Sequence, residues 1–351
     1  MAKQKRSAHY FRASGMFPFS PLTCDPYRAE QIFRPSISPS SIFVEILPML
    51  LSFIRFALVL IFGVSILTSC QAQDPKPIEL AKQPNEQTLL WQVTGKDVKK
   101  ATYLFGTFHL MCKQDVQFSE PLKKALAASD EIYLEMDMDD PATTLGGLFM
   151  MNMKDDKALK DLYSEAEYAR LETFFKDSLR TPLAMFKRTK PMFLIAMLYP
   201  KFMPCKQVSG MEEGLMKLAK QHQKEIKGLE TIQFQSSVFD SIPYEVQAKE
   251  LLKSIDSLPT YRRYFDTMVT VYKQQRLDEL AKQMNDPEFG MAEQQDVLLD
   301  RRNRNWVDQL NVLMKEKSLF VGVGAGHLPG EQGLIQLLRK AGYTVEPLVN
   351  K

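Results

Sequence analysis

Histidine and cysteine are scarce in this chain: of 351 residues, four are His, four are Cys and two are Trp. No His-Glu-x-x-His, Cys-x-x-Cys, Gly-x-Ser-x-Gly or phosphate-loop string occurs, so the zincin, dithiol-redox, serine-hydrolase and P-loop readings have no support. Net charge is also small, with 45 Lys and Arg against 42 Asp and Glu. Residues 1 to 69 hold 7 of the basic and 3 of the acidic residues, which leaves 38 against 39 in the rest. That balance provides no basic footprint for nucleic acid, and no aromatic-basic module replaces it. The string Gly322-Val323-Gly324-Ala325-Gly326 precedes a helix-like stretch. However, His327 stands where a dinucleotide fingerprint needs its third glycine, and only one strand follows.

An apolar stretch from Phe53 to Leu67, interrupted by Arg55 and Ser65, ends in Leu67-Thr68-Ser69-Cys70. It is short for a membrane span and has the form of a signal-peptide core followed by small residues. The Leu-Thr-Ser-Cys string resembles a bacterial lipoprotein cleavage box, which implies removal of residues 1 to 69 and lipidation of Cys70. Met49 stands where a leader of ordinary length would begin, so residues 1 to 48 read as an over-extended start. An uncleaved single-pass anchor is the alternative, and both readings put the remainder outside the cytoplasm, tethered to a membrane. Cys24 falls in the leader and Cys70 takes the lipid. In an oxidising compartment Cys112 and Cys205 are then expected to pair, two buried thiols being the alternative.

Two of the four histidines sit in matching contexts. Gly106-Thr107-Phe108-His109 and Gly324-Ala325-Gly326-His327 each follow a short apolar run, Tyr103 to Phe105 and Leu319 to Val323, which reads as a buried strand. A glycine at the strand's exit permits a tight turn, and the histidine then projects beyond the sheet edge. If the two strands are parallel neighbours, both imidazoles enter one crevice at the carboxyl end of the sheet, where open α/β sheets hold ligands. Two imidazoles are half of a metal coordination shell, and a carboxylate would complete a site with positions left open.

Glu135 and Glu230 qualify, since each ends a strand-like run, Glu131 to Met136 and Glu225 to Leu229. His109 and His327, with a strand-end carboxylate, are therefore the expected ligands of a divalent ion. Glu135 and Glu230 are the acid–base candidates, Glu230 as general base or as an additional ligand. Arg302 and Asn303, on a helix ahead of the second motif, are placed to bind a substrate carboxylate or to orient the acids. His9 lies in the leader, and His222 lies on a polar helix face.

Residues 70 to 86, with Pro75, Pro77 and Pro84, read as a tether, and 87 to 351 as one domain large enough for a sizeable core. Leu89 to Val93 and Thr102 to Phe105 flank the turn Thr94-Gly95-Lys96-Asp97 and predict a hairpin. Helices are expected over Glu120 to Ala128, Met211 to Gln221, Tyr244 to Ser254, Thr260 to Asn285, Glu293 to Lys315 and Glu331 to Ala341. Between Asp155 and Met203, helical periods are interrupted by Pro182, Pro191 and Pro200. Tyr343 to Val345 closes the chain as a strand. Each half thus offers strand, Gly-x-x-His, helix, strand, which suggests a pseudo-duplicated α/β fold, mixed α+β in detail, with a central mixed sheet covered by helices. Met150, Met151, Met153, Phe174, Phe175 and Phe186 read as core filling in preference to a groove for a peptide or porphyrin.

Five elements recur in a recognisable order: Gly106-Thr107-Phe108-His109-Leu110, Leu134-Glu135-Met136-Asp137, Gly228-Leu229-Glu230-Thr231, Arg302-Asn303 and Val323-Gly324-Ala325-Gly326-His327-Leu328. Over roughly residues 87 to 349 the chain resembles the TraB/GumN family, which includes the Tiki-type proteases that trim Wnt proteins. The resemblance implies metal-dependent peptide cleavage supported by manganese or cobalt, zinc also being possible, with the required histidines and acid falling on His109, His327 and Glu135. The wider superfamily resembles erythromycin esterase and a haem-binding lipoprotein. Ester hydrolysis, and non-catalytic binding of haem or a peptide signal in the same crevice, therefore remain alternatives. The implied partners are a peptide or small-molecule substrate and a membrane reached through the N-terminal lipid.

Overall fold

In the computed structural model, residues 79–141, 146–147, 150–287 and 292–351 are described; the leader, Cys70 and most of the tether lie outside them. β1 (Leu90–Thr94) and β2 (Thr102–Thr107) form the expected antiparallel hairpin, with Leu90 opposite Phe105. Its turn carries Gly95 at φ 86°, where a glycine meets no Cβ penalty. After β3 (Met111–Cys112) comes α1 (Glu120–Ala128), then β4 (Glu131–Met136). α1 begins where Ser119 Oγ accepts the Leu122 N–H, and Leu122, Ala125 and Leu126 bury one face at helical spacing. The chain continues through α2 (Glu165–Ser178), α3 (Pro191–Phe202), β5 (Val208–Ser209), α4 (Met211–Gln221), β6 (Ile226–Glu230) and α5 (Ile232–Asp240). It ends with α6 (Tyr244–Asp256), α7 (Leu258–Lys273), α8 (Leu277–Met284), α9 (Arg301–Leu313), β7 (Leu319–Gly324), α10 (Leu334–Lys340) and β8 (Thr344–Pro347).

Six strands form one mixed sheet in the order β6-β4-β7-β2-β1-β8. The first four are parallel neighbours, and β1 runs antiparallel to both β2 and β8. All six residues of β2 and of β7 are buried, as strands covered on both faces must be. β2 and β7 pair directly, with Thr107 opposite Gly324, so the two Gly-x-x-His motifs leave the sheet side by side. A separate two-stranded sheet pairs β3 with β5, Met111 opposite Ser209. The disulfide Cys112–Cys205 lies beside it, with the two Cα atoms 5.8 Å apart. The expected pairing is thus present and ties the segment after His109 to the entry of α4.

Away from the sheet, α3 packs on α6 and on α7, on α7 through ring contacts of Tyr199 and Phe202 with Tyr261 and Phe265. Phe175 contacts Phe174 and Phe186, and Met153 is buried, in keeping with the core reading, whereas Met150 is exposed and does not fill the core. Among the described residues no helix is long and apolar enough to cross a membrane.

Several element boundaries differ from the sequence reading. The expected helix Thr260 to Asn285 is two helices, because Gln275 takes a positive φ of 59° after α7. Its side-chain amide accepts from the Leu89 N–H and Asn350 Nδ2 and donates to the Asn350 carbonyl; these distant bonds stabilise a break that local periodicity does not reveal. α10 starts only at Leu334, since the preceding segment turns through Gly330 at φ 86°. Pro200 sits in the last turn of α3 without ending it. Before α9, Asp296–Asp300 form a π-turn, and the Leu298 carbonyl there accepts from Arg302 Nη1 at 3.0 Å. Single π-turns of this kind recur where a helix must aim a functional side chain.

Candidate functional site

At the carboxyl end of the parallel strands, the two histidine rings meet Glu135. His109 Nδ1 lies 2.8 Å from Glu212 Oε1, and the Thr107 hydroxyl donates to the same oxygen at 2.6 Å. A carboxylate only accepts, so Nδ1 carries the proton. His327 Nδ1 lies 2.7 Å from Asn303 Oδ1. The Asn303 amide group donates to the carbonyls of His327 and Gln332, which leaves its oxygen as acceptor and again puts the ring proton on Nδ1. Nε2 is therefore the unprotonated nitrogen of His327, and of His109 whenever that ring is neutral; the two Nε2 atoms lie 3.9 Å (His109) and 3.8 Å (His327) from Glu135 Oε1. That oxygen also accepts the Gly324 N–H at 2.8 Å.

Arg302 fills the floor of the crevice. Its Nε donates to Glu230, Nη2 to Glu135 at 2.6 Å and to Glu230 at 2.8 Å, and Nη1 to the Leu298 carbonyl and to His327 Nε2 at 3.2 Å. All five guanidinium N–H donors are used, so none is left for a substrate carboxylate. Asn303 is buried and fully engaged by His327 and Gln332. Both members of the pair are turned inward, Arg302 onto Glu135 and Glu230 and Asn303 onto His327. Both oxygens of Glu230 accept from Arg302, which makes Glu230 the counter-ion of the guanidinium. Trp306 stacks against both groups, 4.8 Å from the guanidinium and 4.4 Å from the His327 ring.

Charge is distributed unevenly between the two histidines. Burial disfavours the charged form of His327, and Arg302 adds to this against the attraction of Glu135, so its pKa falls to about 3. At His109, removal from water also opposes protonation, but the Glu212 hydrogen bond and the charges of Glu212 and Glu135 outweigh it and raise the ring to about 9. Burial alone would raise Glu135. Arg302, then the two histidines and the Gly324 N–H, overcome this and hold it well below the usual carboxylate range. Burial likewise acts on Glu212, and the His109 bond and charge and the Thr107 hydroxyl keep it below its ordinary value. Burial pushes Glu230 up despite Arg302. The His327 side chain is 4% exposed and that of His109 62%, so the crevice opens on the His109 side.

Glu212 and Thr107 are the residues that sequence reasoning missed. An acid in the first turn of a helix ordinarily complements the helix dipole, and Glu212 did not stand out from Glu213. The signal lies just before it: a Cβ on Gly210 would fall 2.6 Å from the His109 carbonyl oxygen, so the start of α4 lies directly against the first motif. His222, at the end of α4, is exposed and remote from this arrangement in the fold.

A mixed α/β sheet whose adjacent parallel strands deliver two imidazoles and a buried carboxylate to one crevice defines the class: an open-sheet protein with a polar site at its carboxyl edge. The TraB/PrgY/gumN family model matches residues 89–347, and the chain belongs to that family. No curated protein and no solved structure matches the chain.

The residues present can be tested against the divalent ion that the family resemblance implies. Two donors sharing an ion at bonds of about 2.1 Å lie roughly 3–4 Å apart, and both Nε2-to-Oε1 separations, 3.9 and 3.8 Å, satisfy this. Each ring is also anchored at Nδ1 by an acceptor, as ligating histidines almost always are. Among the described residues, no group of three or more His, Cys, Asp or Glu forms an assembled ion cage, and Arg302 Nη1 bonds the His327 lone pair. The donors thus suit a divalent ion in kind, while their arrangement here, with Arg302 Nη1 on His327 Nε2, is not an assembled ion site.

Proposed function

We propose that this protein is a metal-dependent hydrolase acting on peptide bonds, with His109, His327 and Glu135 as the residues that would hold a divalent ion such as Mn²⁺, Co²⁺ or Zn²⁺. The observation that supports this reading is that both Nε2 atoms face one oxygen of Glu135 while both Nδ1 atoms are held by orienting acceptors. When bound, such an ion supplies Lewis acidity toward a carbonyl oxygen and makes a water molecule more acidic. The chain's own residues do the rest. Arg302 keeps Glu135 ionised and compensates Glu230, the Gly324 N–H fixes the carboxylate's rotation, and the open His109 side admits substrate. Glu212 stabilises positive charge on His109 when that ring takes up a proton. We further propose that the protein acts outside the cytoplasm, tethered by lipid on Cys70. Incorporation of labelled fatty acid that is lost in Cys70→Ser tests this placement.

A second reading is favoured by the Arg302–His327 bond at 3.2 Å. With that bond retained, the site works without an ion: His109, once neutral at alkaline pH, is the base toward water, oriented by Glu212. One experiment separates the two. Hydrolysis of a peptide library by the purified protein is measured before and after chelation, with His109→Ala and His327→Ala alongside. The metal reading expects chelator-sensitive turnover restored by Mn²⁺ or Co²⁺ and abolished in both variants. Chelator-resistant turnover that depends on His109 selects the second reading, and absence of histidine-dependent turnover of peptides or esters rejects both.

A further inference from the structure

The two histidines reach the crevice by different means. His327 is enclosed, with Asn303, Arg302 and Trp306 around its ring. His109 stands open to solvent, and an exposed imidazole rotates and carries its proton on either nitrogen unless a partner chooses for it. That choice falls to Glu212, which is anchored through Thr107, the second residue of the first motif. The second motif has Ala325 at the equivalent place, and there an amide, Asn303, performs the orienting.

Glu212 is itself held with little freedom. The Met211 N–H donates to the Phe108 carbonyl at 3.2 Å, and Gly210 packs on the His109 carbonyl. Ser209 pairs with Met111, and the Cys112–Cys205 bond spans the same junction. The neighbouring Glu213 is turned away by Ser209 and Lys217, so only one of the two adjacent acids faces the crevice.

We propose that Glu212 is a positioning residue of this site: anchored by Thr107, it fixes the proton of His109 on Nδ1 and so keeps the Nε2 lone pair directed at Glu135. The inference rests on the proposal that His109 acts in the crevice, under either reading of the chemistry. Loss of an outer partner of this kind commonly costs a metal ligand 10- to 100-fold in affinity.

The test uses the purified protein labelled with ¹⁵N-histidine, with His109→Gln to assign the resonance. Side-chain spectra at alkaline pH, where the ring is neutral, read which nitrogen carries the proton, and titration with Zn²⁺ alone reads the consequence. Wild type is expected to hold the proton on Nδ1. Glu212→Gln, which keeps an acceptor in place, retains that tautomer. Glu212→Ala moves the proton to Nε2 in a large share of molecules and weakens Zn²⁺ binding about 10- to 100-fold; Thr107→Val shifts both in the same direction by less. A proton that stays on Nδ1 in Glu212→Ala overturns the proposal, as does a loss of thermal stability in both Glu212 variants with no change of tautomer. If the tautomer moves while wild type neither binds Zn²⁺ nor hydrolyses any substrate, the positioning role stands and the hydrolase reading falls.

Discussion

Arg302 donates to both carboxylate oxygens of Glu230, from Nε at 2.9 and 3.1 Å and from Nη2 at 2.8 Å, and neither side chain is more than 8% exposed. A buried ion pair of this kind is poor evidence for stability in itself, but removal of one partner leaves an uncompensated charge in a low-dielectric place.

Arg302→Met should therefore destabilise the fold by about 3–5 kcal/mol, because it orphans Glu135 and Glu230 together. Urea unfolding measures this. Adding Glu230→Gln to that variant should recover part of the loss, since one of the two stranded charges is then gone. A single-variant cost within experimental error of zero would contradict the burial argument.

At Gly324 the geometry of the candidate site can be changed separately from folding. A methyl group there would lie 3.2 Å from Glu135 Oε1 and 3.3 Å from His109 Nε2, in the space where the candidate ligands face one another. Because the His109 ring can yield into solvent, Gly324→Ala should change stability by only about 1 kcal/mol while lowering both Zn²⁺ affinity and hydrolysis. Gly210→Ala meets backbone instead, at the His109 carbonyl, and should cost about 1–3 kcal/mol through forced displacement. Parallel melting curves and Zn²⁺ titrations of the two variants check the contrast.

The Cys112–Cys205 bond closes a sequence separation of 93 residues, and loops of that size commonly yield about 2–4 kcal/mol when cross-linked. The double variant Cys112→Ser/Cys205→Ser should lose that amount in chemical denaturation. It should also show faster amide exchange over Met111 to Lys113 and Val208 to Met211, where β3, β5 and the start of α4 meet. Equal exchange in the two forms would mean that the small sheet holds this junction unaided.

Asp240 ties Lys190 and Lys154 to α5, at 2.9 and 3.1 Å. Burial would raise its pKa, but hydrogen bonds from Lys190, Tyr244 and Lys154 and the Lys190 charge hold it below the ordinary aspartate value. A carboxyl depressed in the folded state contributes stability that is complete above its unfolded pKa and disappears as pH falls through the folded one. Unfolding free energy should therefore decline in the acid range below about pH 4. Asp240→Asn should be less stable than wild type at neutral pH and show a shallower acid decline. Matching pH slopes for the two proteins would refute the assignment.

Much of the frame was legible along the chain. Tyr103 to Phe105, Glu131 to Met136 and Leu319 to Val323 announce strands because each is a short apolar run ending in glycine or acid. Helices α1 and α4 begin and end where their periodicity puts them, α1 with Ser119 as its N-cap. Cys112 and Cys205 could be paired by elimination. The break at Gln275 was not legible, since what stabilises it is a set of bonds to Leu89 and Asn350 at the two ends of the domain. The roles of Arg302, Asn303 and Glu230 were left between alternatives for the same reason: a guanidinium is a substrate clamp or a structural cation according to how many of its donors the fold has already taken.

Sequence alone singled out His109, His327, Glu135 and Glu230, because glycine, histidine and acid at the ends of apolar runs reflect the local rules of strand exit. Tertiary structure decided what each of them does. Hydrogen-bond partners such as Glu212 for His109 and Asn303 for His327 come from elements 103 and 24 residues away, and only the packed sheet, with β2 beside β7, brings them within bonding distance.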